Sequence, residues 1–185
     1  SSYEPEPLGR TEWVKCYGAM LDREDDAQKL FDEQVAQVAS IDATDTGKTV
    51  AFFYINSNGA AIVRKPGDYV TKMIDQAGGD YIFSSLDEAE SSTSSVTLEM
   101  ERFYAMAKDA DVIIYNSSID DSVDSVDALV RKNALLGDFK AVQSGNVWAT
   151  EQNMYQQMMQ TGRIIADFNT AFTGSGAQTT YVHKL

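Results

Sequence analysis

Two unbroken apolar runs limit this chain more than any other feature. Val50-Ala51-Phe52-Phe53-Tyr54-Ile55 and Val112-Ile113-Ile114-Tyr115 show neither the alternation of a half-exposed strand nor the spacing of an amphipathic helix. Such runs need cover on both faces, which a parallel sheet between two layers of helices provides. The intervening segments suit that plan. Trp13, Val14, Tyr17, Met20 and Leu21 fall at helical spacing. Asp22 is placed to cap a second helix that carries Ala27, Leu30, Phe31, Val35 and Val38. Asn56-Ser57-Asn58-Gly59 reads as a turn into a short strand at 60–64. Pro66-Gly67-Asp68 starts a helix that ends at Gly78-Gly79, and a short strand follows at 81–83. Residues 86–95 read as an acidic, Ser-rich loop, 97–110 and 123–132 as helices, 146–149 as the last strand and 155–172 as the last long helix. Strands alternating with helices predict an α/β fold, a three-layer sandwich with a mainly parallel sheet, preceded by a long helix.

Composition narrows the function classes. The 185 residues suit one α/β domain, or a domain with part of another, and a 43% hydrophobic content supplies a core. A net charge of −13 argues against nucleic acid, which demands clustered Lys and Arg. The single cysteine, Cys16, excludes an intramolecular disulfide and reads as a small buried hydrophobe. No apolar stretch reaches membrane-spanning length. The opening Ser1-Ser2 reads as a mature or truncated chain.

Several motifs invite chemistry without completing it. Thr46-Gly47-Lys48-Thr49 lacks the first glycine of a phosphate loop, because Asp42 stands there, and it precedes a strand instead of a helix. His183, the only histidine, reads as a tail residue without a metal or triad companion. Asp120-Asp121 and Asp124 with Asp127 read as solvated loop and cap acids. Asn116-Ser117-Ser118 matches a glycosylation acceptor only formally. No catalytic residue, metal site or cofactor is expected. A small α/β hydrolase using Asp111 or Asp120 and a flavodoxin-like interaction module without a small ligand are the competing readings.

Four passages carry a resemblance. They are Pro7-Leu8-Gly9-Arg10-Thr11-Glu12-Trp13-Val14-Lys15 with the acidic helix after it; Gly67-Asp68-Tyr69-Val70 leading to Ala77-Gly78-Gly79-Asp80-Tyr81; Val96-Thr97-Leu98-Glu99 followed by Ala110-Asp111-Val112-Ile113-Ile114; and Phe139-Lys140-Ala141-Val142-Gln143-Ser144-Gly145-Asn146-Val147-Trp148. Their order and spacing resemble the ABC-importer solute-binding proteins for iron-siderophores, haem and vitamin B12. The resemblance implies residues 1–21 as the last helix of an N-terminal lobe, 22–42 as the interlobe helix and 43–185 as the C-terminal α/β lobe. It further implies a non-enzymatic, extracytoplasmic protein, lipid-anchored at full length. Such a protein binds an iron chelate or corrinoid between two lobes and hands it to a membrane permease. Glu99 falls where that family docks its permease. A surface around Trp13, Tyr17 and Met20 is then expected to lack its N-lobe cover, with dimerisation through it as one outcome.

The residues themselves point to the same edge. Ligands of open α/β sheets sit beyond the carboxyl ends of the strands. Those ends supply Asn56, Tyr115, Asn116, Asn153 and Tyr155, with Arg64 as the candidate cation for an anionic chelate.

Overall fold

The computed structural model describes residues 4–42, 44–86, 93–120 and 123–185. Its elements in chain order are α1 (Pro7–Met20), α2 (Glu24–Ala39), β1 (Lys48–Ile55), β2 (Ala61–Arg64), α3 (Tyr69–Gln76), β3 (Gly79–Tyr81), β4 (Ser95–Leu98), α4 (Met100–Ala107), β5 (Val112–Tyr115), α5 (Val126–Lys132), α6 (Lys140–Gln143), β6 (Val147–Thr150), α7 (Thr161–Thr173) and β7 (Val182–Lys184). The sheet runs β4-β2-β1-β5-β6-β7. β1 pairs parallel with β5 on one edge. Its other edge is shared: β3 lies parallel to Lys48–Val50, and β2 lies antiparallel to Phe53–Ile55. β5 and β6 continue the parallel centre, while the flanks, β2 with β4 and β6 with β7, are antiparallel.

Period two along β1 sorts its aromatics onto opposite faces. Phe52 meets Phe168 of α7 at 6.3 Å between ring centroids. Phe53 meets Phe103 of α4 at 4.5 Å and Tyr115 at 5.7 Å, and Phe103 stacks in turn on Phe83 and Phe139. Both faces are therefore filled, and Val50 to Phe53 are wholly buried. Ala77-Gly78-Gly79 has a local cause. Gly78 ends α3 at φ +84, and a Cβ on Gly79 would lie 2.6 Å from the Phe172 ring. Asp68 caps α3 by accepting a bond from the Val70 N–H.

Helices α1 and α2 form a hairpin packed outside α7. Close approach needs Gly18, where a Cβ would lie 2.5 Å from Ala27 Cβ. Two buried polar ties fasten the hairpin to the start of α7. Thr11 Oγ1 donates to Thr161 Oγ1 at 2.9 Å, and the Gly162 N–H donates to Gln34 Oε1 at 3.0 Å. The apolar stripe of α1 faces outward: Trp13, Tyr17 and Met20 are 42%, 60% and 79% exposed. Cys16 lies on that same outer face and is exposed, not buried as its apolar neighbours in sequence suggested.

Several boundaries differ from the sequence expectation. Asp22 does not cap α2; it turns the hairpin at φ +52, and Arg23 takes the N-cap position without a side-chain bond. The strand expected at 81–83 is 79–81, because pairing with β1 starts at Lys48↔Gly79 and the chain turns away after Ile82. Residues 95–98, expected to lie in the loop and the start of the next helix, form β4 because β2 offers an open edge. The helix expected from 123 starts at Val126, where Ser125 caps it. Residues 154–160 form two 3-10 turns, so the last helix begins at Thr161 and not at 155. His183 is no frayed tail: it pairs opposite Ala149 in β7, and its Nδ1 lies 2.8 Å from Glu151 Oε1. Most of the acidic loop (87–92) and Asp121 lie outside the described residues.

Candidate ligand-binding edge

Three segments converge beside the carboxyl ends of β5 and β6. Asn116 follows β5 directly. Tyr155 stands in the 3-10 turn after β6, and Arg64 is the last residue of β2. Asn116 Nδ2 donates to the Tyr155 hydroxyl at 2.9 Å, a contact between residues far apart in sequence. The Arg64 guanidinium lies 5.0 Å from the Tyr155 ring centroid, donates to Ser94 Oγ at 2.8 Å and faces Asp68 at 3.7 Å. Tyr69 packs edge-on against Tyr155 at 6.3 Å and carries Arg10 of α1 on its own face at 3.6 Å.

Burial sets the electrostatics of this group. Desolvation works against the Arg64 charge, but Tyr155, Asp68 and Tyr69 together outweigh it and hold its pKa above the ordinary value. Burial raises the Asp68 carboxyl despite the nearby guanidinium, and it raises the hydroxyls of Tyr69 and Tyr155, which stay neutral donors and acceptors. Asn116 is 2% exposed, and its Oδ1 has no hydrogen-bond partner among the described residues. The space bounded by Arg10, Tyr69, Met154, Tyr155, Thr161 and Ile164 closes to about 10 Å³, about one water-sized sphere.

The six sequence candidates separate. Arg64, Asn116 and Tyr155 come together. Tyr115 does not line the edge: it is fully buried, accepts from the Ile55 N–H at 3.2 Å and donates to Asp120 at 2.6 Å. Asn56 closes the β1–β2 hairpin, its Oδ1 accepting from the Asn58 and Ala60 N–H groups at 3.0 Å. Asn153 is exposed next to the Tyr155 turn. Glu99 is exposed at the N-cap position of α4 and makes no capping bond, so it lies one residue ahead of the first turn where it was expected. Tyr69, Asp68 and Arg10 were missed, since nothing in their own segments signals a partner in the 151–160 loop.

The acids considered for catalysis have structural partners. Asp111 accepts from Lys140 at 2.6 Å and from Thr49 at the opposite end of the sheet, which lowers its pKa to about 2. Asp120 receives Tyr115 and Lys132, the latter at 2.7 Å. Lys48 and Thr49 of the phosphate-loop-like motif open β1. Among the described residues, no group of three or more His, Cys, Asp or Glu side chains is placed to hold a metal ion, and no helix is long and apolar enough to cross a membrane.

Comparison with known proteins places this geometry in context. A family profile described as periplasmic binding protein matches residues 2–154. An uncharacterized lipoprotein of Methanocaldococcus jannaschii is 32% identical over 172 residues, which is 90% of this chain and 39% of that protein. A second uncharacterized protein of the same organism is 25% identical over 81% of this chain and 45% of its own length. Among solved structures, an apo periplasmic heme-binding protein from Roseiflexus sp. RS-1 superposes with TM-score 0.71 at 21% identity, covering 92% of this chain and 64% of that one. An ABC-type Fe3+-hydroxamate transport protein from Saccharomonospora viridis gives TM-score 0.68 at 18% identity, covering 90% and 55%. At these identities the structural likeness establishes the fold. The chain spans less than half the length of the two curated relatives and less than two thirds of these two solved chains.

Proposed function

Because the chain belongs to the periplasmic binding protein family, we propose that it forms one lobe of the substrate-binding component of an ABC importer. The ligand is an iron chelate, a siderophore or haem, with a corrinoid as the further member of the class. It is held between this lobe and a second one. The observation that carries this reading is the meeting of Arg64, Asn116 and Tyr155 beside the strand ends. There a planar cation, an amide and an aromatic ring suit a large ligand with anionic oxygens and an apolar rim. The solved neighbours named for heme and for Fe3+-hydroxamate support the chelate class.

The α1–α2 hairpin fits the role of lobe junction. Its outer stripe of Trp13, Tyr17 and Met20 is exposed, and this chain matches only 39% and 45% of the lengths of its two curated relatives. We assign the cover of that stripe to the part of the longer protein that supplies the opposing lobe; a second copy of this chain is the competing occupant. The family and the lipoprotein relative support a location outside the cytoplasmic membrane, with a lipid anchor at full length. Glu99, exposed at the front of α4, is the docking carboxylate for a permease arginine.

The test is ligand-dependent thermal stabilisation of the full-length protein against ferric siderophores, haem and cobalamin. One of these should raise the Tm, and Arg64→Gln or Tyr155→Ala should weaken that effect by removing charge or aromatic contact. Glu99→Gln should spare both folding and ligand affinity while lowering uptake. No stabilisation by any of the three classes would overturn the ligand assignment.

A further inference from the structure

The Tyr155 hydroxyl occupies an unusual position. The Asn116 Nδ2 donor ends on it, and the Arg64 guanidinium stands beside the same ring, held from behind by Ser94 and loosely by Asp68. Two donors of the kind that hold a carboxylate or hydroxamate oxygen thus meet a neutral phenol instead. The Asn116 amide is 2% exposed, yet its Oδ1 is unpaired among the described residues. A buried acceptor without a partner has a cost, and a native structure that retains one calls for a reason. Tyr155 itself is only half-buried and stands on a short 3-10 turn between β6 and α7, not inside a regular element.

We infer that Tyr155 is a displaceable plug: its hydroxyl stands in for an anionic ligand oxygen, and binding swings it off Arg64 and Asn116, which then hold that oxygen together. The inference rests on reading this edge as the ligand site and adds which protein group a ligand oxygen replaces there. Charge favours the exchange. An anionic oxygen forms stronger bonds to a guanidinium and an amide than a phenol does, and Arg64 has five N–H groups to share among Asp68, Ser94 and the newcomer. The ring already packs edge-on against Tyr69 at 6.3 Å, and it offers the ligand an apolar wall once its hydroxyl is displaced. The plug separates two properties of one side chain: the ring helps the ligand, and the hydroxyl competes with it.

That separation gives a test with opposite signs. In the full-length protein, oxalate serves as the probe, a small dianion that copies chelating oxygens. Its binding is followed by the ¹⁵N signals of the Arg64 Nε–H and the Asn116 side-chain amide. Tyr155→Phe removes the competing hydroxyl and should tighten oxalate binding about five- to tenfold, the equivalent of one lost hydrogen bond. Arg64→Gln should abolish the response, and Asn116→Ala should weaken it both in the wild type and when combined with Tyr155→Phe. Equal or weaker binding by Tyr155→Phe would overturn the plug, as would a response that survives Arg64→Gln. If Tyr155→Phe melts well below wild type, the Asn116→Ala variant decides: oxalate affinity unchanged from wild type overturns the proposal. The broader functional reading fails separately, when oxalate behaves as described but no chelate, haem or corrinoid stabilises the protein.

Discussion

The sheet and the α1–α2 hairpin use the same kinds of side chain in opposite ways. β1 and β5 bury aromatic and branched residues on both faces. α1 turns inward a threonine and a glycine, Thr11 and Gly18, and sends Trp13, Tyr17 and Met20 outward. α2 likewise buries Ala27 and Gln34 while Leu30 and Val35 are 46% and 38% exposed. The sheet is thus held mainly by area removed from water. The hairpin is held by close helix contact and by two buried polar ties. Apolar periodicity therefore marks a helix without fixing which of its faces the fold buries.

The largest loss is expected in the sheet. Phe53 is fully buried among Phe103, Tyr115 and the strands, so Phe53→Ala should cost about 3–5 kcal/mol in chemical denaturation. A loss below 1 kcal/mol would mean the sheet is not the stabilising body. Next comes the hairpin tie. Gln34→Ala leaves the Gly162 N–H buried without its acceptor and should cost about 1–3 kcal/mol, with faster amide exchange along α2. Unchanged exchange there would show that packing alone holds the hairpin.

A smaller effect is expected at the amino end of the sheet. The bond from Lys140, and those from the Thr49 backbone and hydroxyl, hold the Asp111 pKa to about 2 against an ordinary 3.8. A carboxyl depressed in the folded state contributes stability that is full above its unfolded pKa and lost as pH falls through the folded one. Wild type should therefore lose a stabilisation of about 1 kcal/mol between roughly pH 4 and pH 2, a modest sum because Lys140 is well exposed. Asp111→Asn should flatten that part of the profile, and an unaltered profile would remove the ion pair from the account. The smallest effect belongs to the outer stripe. Tyr17→Ser with Met20→Ser should change the stability of the isolated chain by less than about 0.5 kcal/mol. The same pair should weaken the full-length protein measurably if the opposing lobe rests there. Disrupted self-association with full-length stability intact would assign the stripe to a second copy.

The sheet was legible because its central strands announce themselves locally: a continuous apolar run has few alternatives to burial on both faces. β4 and β7 were not, because each is short and polar and becomes a strand only where β2 or β6 offers an open edge. The start of α7 was misplaced because apolar residues around Tyr155 mimic helical spacing, although the chain there folds into 3-10 turns. The rule that ligands gather beyond strand ends points to Asn116 and Tyr155, and the structure brings these two together. Tyr115 was drawn in by the same rule, but its side chain points into the core toward Phe53. The contacts at this edge, Arg64 on Tyr155 and Arg10 on Tyr69, join distant segments and leave no local trace.

Native mass spectrometry of the full-length protein purified from its host reads the bound ligand by its mass. A ligand held between two lobes predicts a bound species with the mass of an iron chelate, porphyrin or corrinoid. That species should be absent from the separately produced 1–185 chain and from full-length Arg64→Gln. A full-length protein that stays empty even after incubation with ferric siderophores, haem and cobalamin would mean that the two lobes hold no such ligand.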